Sequence, residues 1–275
     1  RTENYFSLRS YEQQTETSYP SLITWSIPTS WWLVGADIMD LDNDGKNDIL
    51  IGDVGNGKAE IRVYESIGNN DFDLTFNHID DQLASLQSSI TLSDADNDGL
   101  NEFVYGGLLS NNQAGIFMYE SNGDDSYIPV WSKFFSSGNY INPSYIKFVG
   151  DSDFDGKKEF IVGGLKTEVV PGITYQRVFY LFEVVSNNNF EQVWSISIPG
   201  SAFDDASIAI GDVSGDNKKE FVINVGDDTY VFENVADNMY SQYRINTFTT
   251  TKDIAVGDHN KNNLGEIVIG GDIFE

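Results

Sequence analysis

Along the whole chain, short apolar runs rich in Val, Ile, Phe and Tyr alternate with polar stretches of Gly, Asn, Asp and Ser. Runs of this length and composition, punctuated this way, predict strands. No segment sustains a helical period over three turns. Five segments share one pattern: "VGADIMDLDNDGKNDILIG" (34–52), "ITLSDADNDGLNEFVYGG" (90–107), "IKFVGDSDFDGKKEFIVGG" (146–164), "IAIGDVSGDNKKEFVINVG" (208–226) and "IAVGDHNKNNLGEIVIGG" (254–271). In each, an apolar run ends on an aspartate, a polar loop closes on Asp or Glu, and a second apolar run follows. The leading aspartates are Asp40, Asp94, Asp151, Asp212 and Asp258, spaced 46 to 61 residues apart.

The intervals between these segments repeat as well. A third strand-like stretch follows each second run ("EIRVYES", "GIFMYES", "VFYLFEV", "TYVFENV"), then a turn, then a fourth stretch carrying Phe76, Trp131, Trp194 or Tyr243. Four strands per repeat is the size of one propeller blade. Residues 1–33 match a third and fourth strand, with Trp25 in the aromatic slot, and the C-terminus supplies a first and second. The expected fold is therefore all-β: a five-bladed β-propeller of four-stranded blades over residues 1–275, a single domain. Its last blade is closed by N-terminal strands 3–4 and C-terminal strands 1–2. Closing the ring removes open sheet edges.

Charge narrows the partners. There are 43 acidic and 16 basic residues, a net charge of -27. Such a surface is repelled by phosphate backbones and anionic lipid, so neither nucleic acid nor direct membrane insertion is expected. No apolar run approaches the roughly 20 residues of a membrane span. With no cysteine there are no disulfides, thiolate nucleophiles or Cys-based zinc sites.

The acidic excess has a local form. Within "DSDFDGKKE" (151–159) aspartates occupy alternate positions. Positions 1, 3 and 5 offer side-chain oxygens, position 7 a backbone carbonyl and position 9 a carboxylate, and glycine at position 6 permits the sharp turn. Calcium takes six to eight oxygen ligands in a forgiving geometry, which this spacing supplies. An EF-hand is excluded, because it closes on position 12 between helices.

The loop, its flanking strands and the repeat length together resemble the FG-GAP/VCBS repeats of integrin-α-like, calcium-binding β-propellers. That resemblance implies calcium held between the first and second strands of each blade. Carried over by position, the first site is Asp40, Asp42, Asp44, the Lys46 carbonyl and Asp48. The second is Asp94, Asp96, Asp98, the Leu100 carbonyl and Glu102, and the third Asp151, Asp153, Asp155, the Lys157 carbonyl and Glu159. The fourth departs from the pattern with Asp212, Ser214, Asp216, the Lys218 carbonyl and Glu220. The fifth departs further, with Asp258, Asn260, Asn262, the Leu264 carbonyl and Glu266. Asn217 and Asn263 stand where glycine is expected, and Asn tolerates the left-handed backbone better than most residues. Up to five Ca2+ ions are implied, the fifth the weakest because its loop carries the least charge.

Neither histidine sits in a recognisable catalytic motif, and His78 reads as a lone surface residue. No activity as an enzyme is expected. Trp25, Trp131 and Trp194 recur at one blade position and read as packing between blades. Trp31 and Trp32 break the register, falling where other repeats have Pro143, Phe203-Asp204 or Thr249-Thr250. They either plug the central channel or cover the closing blade, or else contact a ligand, and with Phe203 and Asp204 they are the candidate ligand residues. The connection 165–178 is a further candidate recognition loop. The expected role is that of a secreted or cell-surface adhesion module. It would recognise a protein or glycan on the face opposite the calcium loops, the calcium being structural. The alternatives are a carbohydrate-binding lectin and the propeller of a polysaccharide-degrading enzyme.

Overall fold

The computed structural model describes residues 6–12, 22–29, 33–55, 58–111, 113–135, 140–168, 174–201, 206–246, 254–270 and 272–274. The chain divides into two compact units, Arg1–Asp94 with Gly99–Phe134 and Ala95–Asp98 with Phe135–Glu275. All regular elements among the described residues are strands, paired antiparallel between sequence neighbours.

In the first unit, β1 (Phe6–Glu12) and β2 (Leu22–Thr29) form a two-stranded sheet. A four-stranded meander follows, made of β3 (Leu33–Met39), β4 (Asp48–Gly55), β5 (Lys58–Gly68) and β6 (Asp71–Asp80). The next comprises β7 (Leu83–Leu92), β8 (Glu102–Leu109), β9 (Ala114–Ser121) and β10 (Tyr127–Phe134). The second unit repeats the plan with β11 (Tyr140–Gly150), β12 (Glu159–Glu168), β13 (Thr174–Ser186) and β14 (Asn189–Gly200). Its second sheet is β15 (Ala206–Gly211), β16 (Glu220–Val225), β17 (Asp228–Ala236) and β18 (Met239–Asn246). A three-stranded sheet of β19 (Ile254–Gly257), β20 (Glu266–Ile269) and β21 (Asp272–Phe274) ends it.

The closing blade differs from expectation. Among the described strands β20 pairs with β21 and β1 with β2 alone, so the C-terminus contributes three strands and not two. The reason is local: Gly270, with a φ of 56°, turns the chain straight back after β20, and the short "DIF" run pairs in register with "IVI".

Burial explains the strand pattern. All six residues of β16, all eight of β9 and the first six of β8 and β12 are buried. Strands covered on both faces read as continuous apolar runs, whereas the fourth strands alternate between exposed and half-buried. In the first unit Leu50, Ile61, Val63, Leu86 and Phe103 share a core, while Ile49, Ile51 and Tyr64 pack with Trp25. In the second, Ile161, Phe179, Leu181, Phe221 and Ile223 do the same. Three of the fourth-strand aromatics bridge sheets as expected: Trp25 meets Tyr64 and Phe72, Phe76 meets Phe103 and Tyr127, and Trp194 meets Phe232 and Tyr240. Tyr243 does not, and stands 56% exposed.

The repeated Gly-Gly pairs have a steric cause. A bulge in each preceding first strand pushes a carbonyl against the second glycine. A Cβ on Gly107 would lie 2.1 Å from the Ser85 oxygen, and one on Gly164 2.0 Å from that of Asn142. Gly164→Ala is therefore expected to cost about 1–3 kcal/mol in a denaturant titration. Gly68→Ala, where nothing lies within 4 Å, is expected to stay within about 0.5 kcal/mol of wild type.

Candidate metal loops and an aromatic cavity

Each loop between a first and second strand wraps its backbone around its own carboxylates. The leading aspartate accepts a hydrogen bond from the N–H of position 6 in all five: Gly45 to Asp40 (3.0 Å), Gly99 to Asp94 (3.1 Å), Gly156 to Asp151 (3.0 Å), Asn217 to Asp212 (2.9 Å) and Asn263 to Asp258 (3.0 Å). Position 6 is left-handed throughout, with φ of 93°, 93°, 91°, 71° and 69°. Asn217 and Asn263 thus make the same turn as the glycines. Position 4 is left-handed too, occupied by Asn43, Asn97, Phe154, Gly215 and Lys261. The closing acid accepts from the N–H of position 2, as in Leu41 to Asp48 and Ser152 to Glu159, both 2.8 Å. Asp48, Glu102, Glu159, Glu220 and Glu266 are all buried.

These hydrogen bonds use only part of the oxygen supply. In the first loop Asp40 Oδ1 and Asp48 Oδ1 are buried without a partner, as are Asp151 Oδ1 and Glu159 Oε1 in the third. Oxygens of Asp40, Asp42 and Asp48 lie within 4.8 Å of one another, and so do those of Asp151, Asp153, Asp155 and Glu159. Buried acceptors left unpaired are costly, and this donor set, all hard oxygen at close range, suits calcium. Burial raises the Asp48 carboxyl to about 7, with Asp42, Glu65 and Asp125 adding to the rise against the Leu41 hydrogen bond. Burial likewise raises Glu159 to about 8, against the hydrogen bonds from Ser152.

The other loops differ. In the fourth, both Asp212 oxygens accept backbone N–H groups, from Gly215 and Asn217. In the fifth, both Asp258 oxygens do, from Asn262 and Asn263, while Glu266 Oε1 is left unpartnered. The second loop is split between the units. Asp94 and Gly99–Glu102 belong to the first and Ala95–Asp98 to the second, where Asp96 accepts from Asp98 N–H at 3.3 Å.

Two features escaped the sequence reading. The ammonium of the position-7 lysine bonds its own loop: Lys46 reaches Asp44 (2.7 Å) and Glu65 (2.8 Å), and Lys157 reaches Asp155 (2.8 Å) and Glu183 (2.7 Å). The signal was a lysine at position 7 together with a glutamate in the second half of the third strand. Second, the position-3 aspartate ties each loop to a neighbouring hairpin. Asp42 accepts from Asp125 N–H (2.7 Å) within the first unit, and Asp96 from Asn188 (2.5 Å) and Asp153 from Asn238 (2.8 Å) within the second. Each donor is a left-handed turn residue, with φ of 55°, 56° and 53°.

Trp31, Trp32, Phe203 and Asp204 lie outside the described residues, as do residues 169–173 of the candidate recognition loop. His78 departs from its reading as a surface residue. It is half-buried on β6 and lines a cavity of about 400 Å³ with Asp80, Gln82, Tyr105, Tyr119 and Trp131. Apolar walls come from Phe117, Met118 and Phe134. The His78 Nε2 lies 3.1 Å from the Tyr119 hydroxyl, and the Tyr105 hydroxyl donates to buried Asp80 at 3.0 Å. Burial lowers His78, against the pull of Asp80 and Asp81, and so favours the neutral ring. Burial also pushes both tyrosines up. Trp131, read as packing between blades, faces this cavity with its neighbours Pro129 and Ser132.

No protein-family model matches the chain, and no curated protein matches its sequence. Solved structures do. The α-L-arabinanase of Penicillium chrysogenum, complexed with arabinobiose, aligns with a TM-score of 0.52 at 9% identity, over 88% of this chain and 77% of its own. The periplasmic gluconolactonase of Pseudomonas aeruginosa aligns with a TM-score of 0.51 at 11% identity, over 86% of this chain; the chain spans 62% of that protein's length. The fold is all-β and β-propeller-like. The expectation that the chain has no enzymatic activity is corrected here: both of these structures are of enzymes, so the architecture gives no ground for it.

Phe154 is the one aromatic among the left-handed position-4 residues, where Asn43 and Asn97 serve in the first two loops. Phe154→Asn is expected to raise the denaturation midpoint, by an amount equivalent to about 1 kcal/mol. An unchanged or lowered midpoint contradicts that reading of the loop.

Proposed function

We propose that this chain is a calcium-stabilised β-propeller of the FG-GAP/VCBS kind that recognises carbohydrate outside the cytoplasm. The observation that carries the carbohydrate reading is the cavity around Trp131. It combines flat aromatic faces with hydrogen-bonding groups from Asp80, Gln82, His78 and Tyr119. Sugars present apolar C–H faces ringed by hydroxyls, and an aromatic wall beside fixed donors and acceptors meets both. The similarity to an arabinanase holding arabinobiose supports the same class of ligand, and the periplasmic lactonase supports a location outside the cytoplasm. Of the residues offered for protein recognition, Trp31, Trp32, Phe203, Asp204 and 169–173 lie outside the described residues, so nothing here supports the adhesion reading.

Calcium would be held by the loop aspartates and closing acids, with the backbone carbonyls of Lys46, Leu100, Lys157, Lys218 and Leu264 as further ligands. When bound it supplies the positive charge that the unpartnered oxygens of Asp40, Asp48, Asp151 and Glu159 lack. The first and third loops hold a spare oxygen on both the leading and closing acid, so they bind most tightly. The fifth has the least charge and both Asp258 oxygens engaged by backbone, so it fills last.

Chelation is expected to lower the melting temperature and added calcium to restore it; a melting curve indifferent to calcium contradicts the metal reading. On a glycan array the wild-type protein is expected to give specific hits that Trp131→Ala loses while its calcium-dependent melting persists. An array without hits, or hits unaffected by that substitution, contradicts the carbohydrate reading.

A further inference from the structure

The first unit holds a second cluster of acids beside its calcium loop, and a near-copy of the same arrangement in the second unit shows what is unusual about it. In the second unit, Asp153 of the β11–β12 loop bonds the turn residue Asn238, and Glu183 lies in the third strand of the loop's own sheet, paired with Glu159. Both Glu183 oxygens are satisfied: Lys157 Nζ donates to Oε1 at 2.7 Å and Asn238 Nδ2 to Oε2 at 2.9 Å. Two residues past the turn, the Tyr240 hydroxyl meets Ser152 Oγ at 3.0 Å. Both Glu183 oxygens and the Tyr240 hydroxyl are thus answered by protein, and Asn238 Oδ1 is left without a partner.

The first unit keeps the geometry and changes two side chains. Asp42 bonds the turn residue Asp125, and Glu65 stands where Glu183 stood, with Lys46 Nζ on Oε1 at 2.8 Å. The turn residue is now a carboxylate and has no amide to donate. Glu65 is 4% exposed, and its Oε2 is buried without a partner. Leu41 stands at loop position 2 where the second unit has Ser152, so Tyr127, the counterpart of Tyr240, has no serine hydroxyl there to meet, and it shares a core cluster with Leu41. Its hydroxyl is buried without a partner, the residue is 6% exposed, and Asp48, Asp42, Asp125 and Glu65 all bear on it. Oxygens of Asp42, Glu65 and Asp125 lie within 4.8 Å of one another.

We propose that Asp42, Glu65 and Asp125, with the Tyr127 hydroxyl beside them, form an additional binding site for a divalent, oxygen-seeking cation of the calcium type, joining the β3–β6 and β7–β10 sheets of the first unit. Three carboxylates converging at this range repel one another, and the Lys46 ammonium is already shared between Asp44 and Glu65. A cation accepts the oxygens that no protein donor reaches. In the second unit an amide replaces it. The site rests on different residues from the loop ligands except for Asp42, and so stands apart from the general reading of the loops.

The test is equilibrium dialysis of the whole chain against calcium, with ions counted per protein. Asp125→Asn installs the residue that serves at Asn238, so the variant keeps a fold the chain already uses. It is expected to bind one ion fewer than wild type and, in chelator, to melt at a higher temperature than wild type, because an amide-to-carboxylate hydrogen bond replaces repulsion. Asp151→Ala, confined to the third loop, is the control. If it loses an ion while Asp125→Asn loses none, the additional site is overturned and the loop reading stands. If wild type binds no calcium, both fall. Loss of one ion by each variant separately, and of two by the double variant, supports the site.

Discussion

Like-charged carboxylates crowded into a bend that buried strands must enter and leave form the constraint on which this structure depends. At about 5 Å and an effective dielectric of about 20, each such pair costs roughly 3 kcal/mol. The backbone answers part of that cost by turning its N–H groups inward, position 6 onto the first acid and position 2 onto the last. Left-handed residues at positions 4 and 6 of each loop make this inward turn possible. What the backbone leaves unanswered are the outer oxygens of Asp40, Asp48, Asp151 and Glu159, all buried. Because the closing acid is also the first residue of the second strand, charge balance in the loop and pairing in the sheet are one problem.

The loops also govern packing between neighbouring sheets within each unit. The position-3 aspartate holds the tip of a hairpin in another sheet, and that hairpin carries the aromatic that packs beside the loop, as with Tyr240 next to Ser152. A shift in loop charge therefore reaches the hydrophobic contact below it. The cavity lined by His78, Tyr119 and Trp131 draws on three strands of one sheet and the outer strand of the preceding one, so it inherits its shape from the same stacking.

The strand pattern, the loop register and the left-handed turn at Asn217 and Asn263 were legible because each depends on residues close in sequence. Alternation and run length report burial of a strand, and a nine-residue ligand spacing is read from nine residues. The cavity was not legible, since His78, Tyr105, Tyr119 and Trp131 are ordinary strand residues until β6 and β8–β10 bring them together. Trp131 in particular looked like Trp25 and Trp194, which do pack between sheets. The side-chain role of Lys46 was hidden because the ligand pattern uses that position only for its carbonyl, while its partner Glu65 lies 19 residues away. The third strand at the C-terminus was missed because "DIF" is three residues long, and only the turn at Gly270 makes it pair.

The most direct test of the central claim is a crystal structure grown in calcium, with anomalous difference density measured at a long wavelength. Peaks are expected between the leading and closing acids of the loops, coordinated by Asp40 and Asp48 in the first and by Asp151 and Glu159 in the third. Water or a lysine ammonium in those positions, with no anomalous signal, would contradict the account.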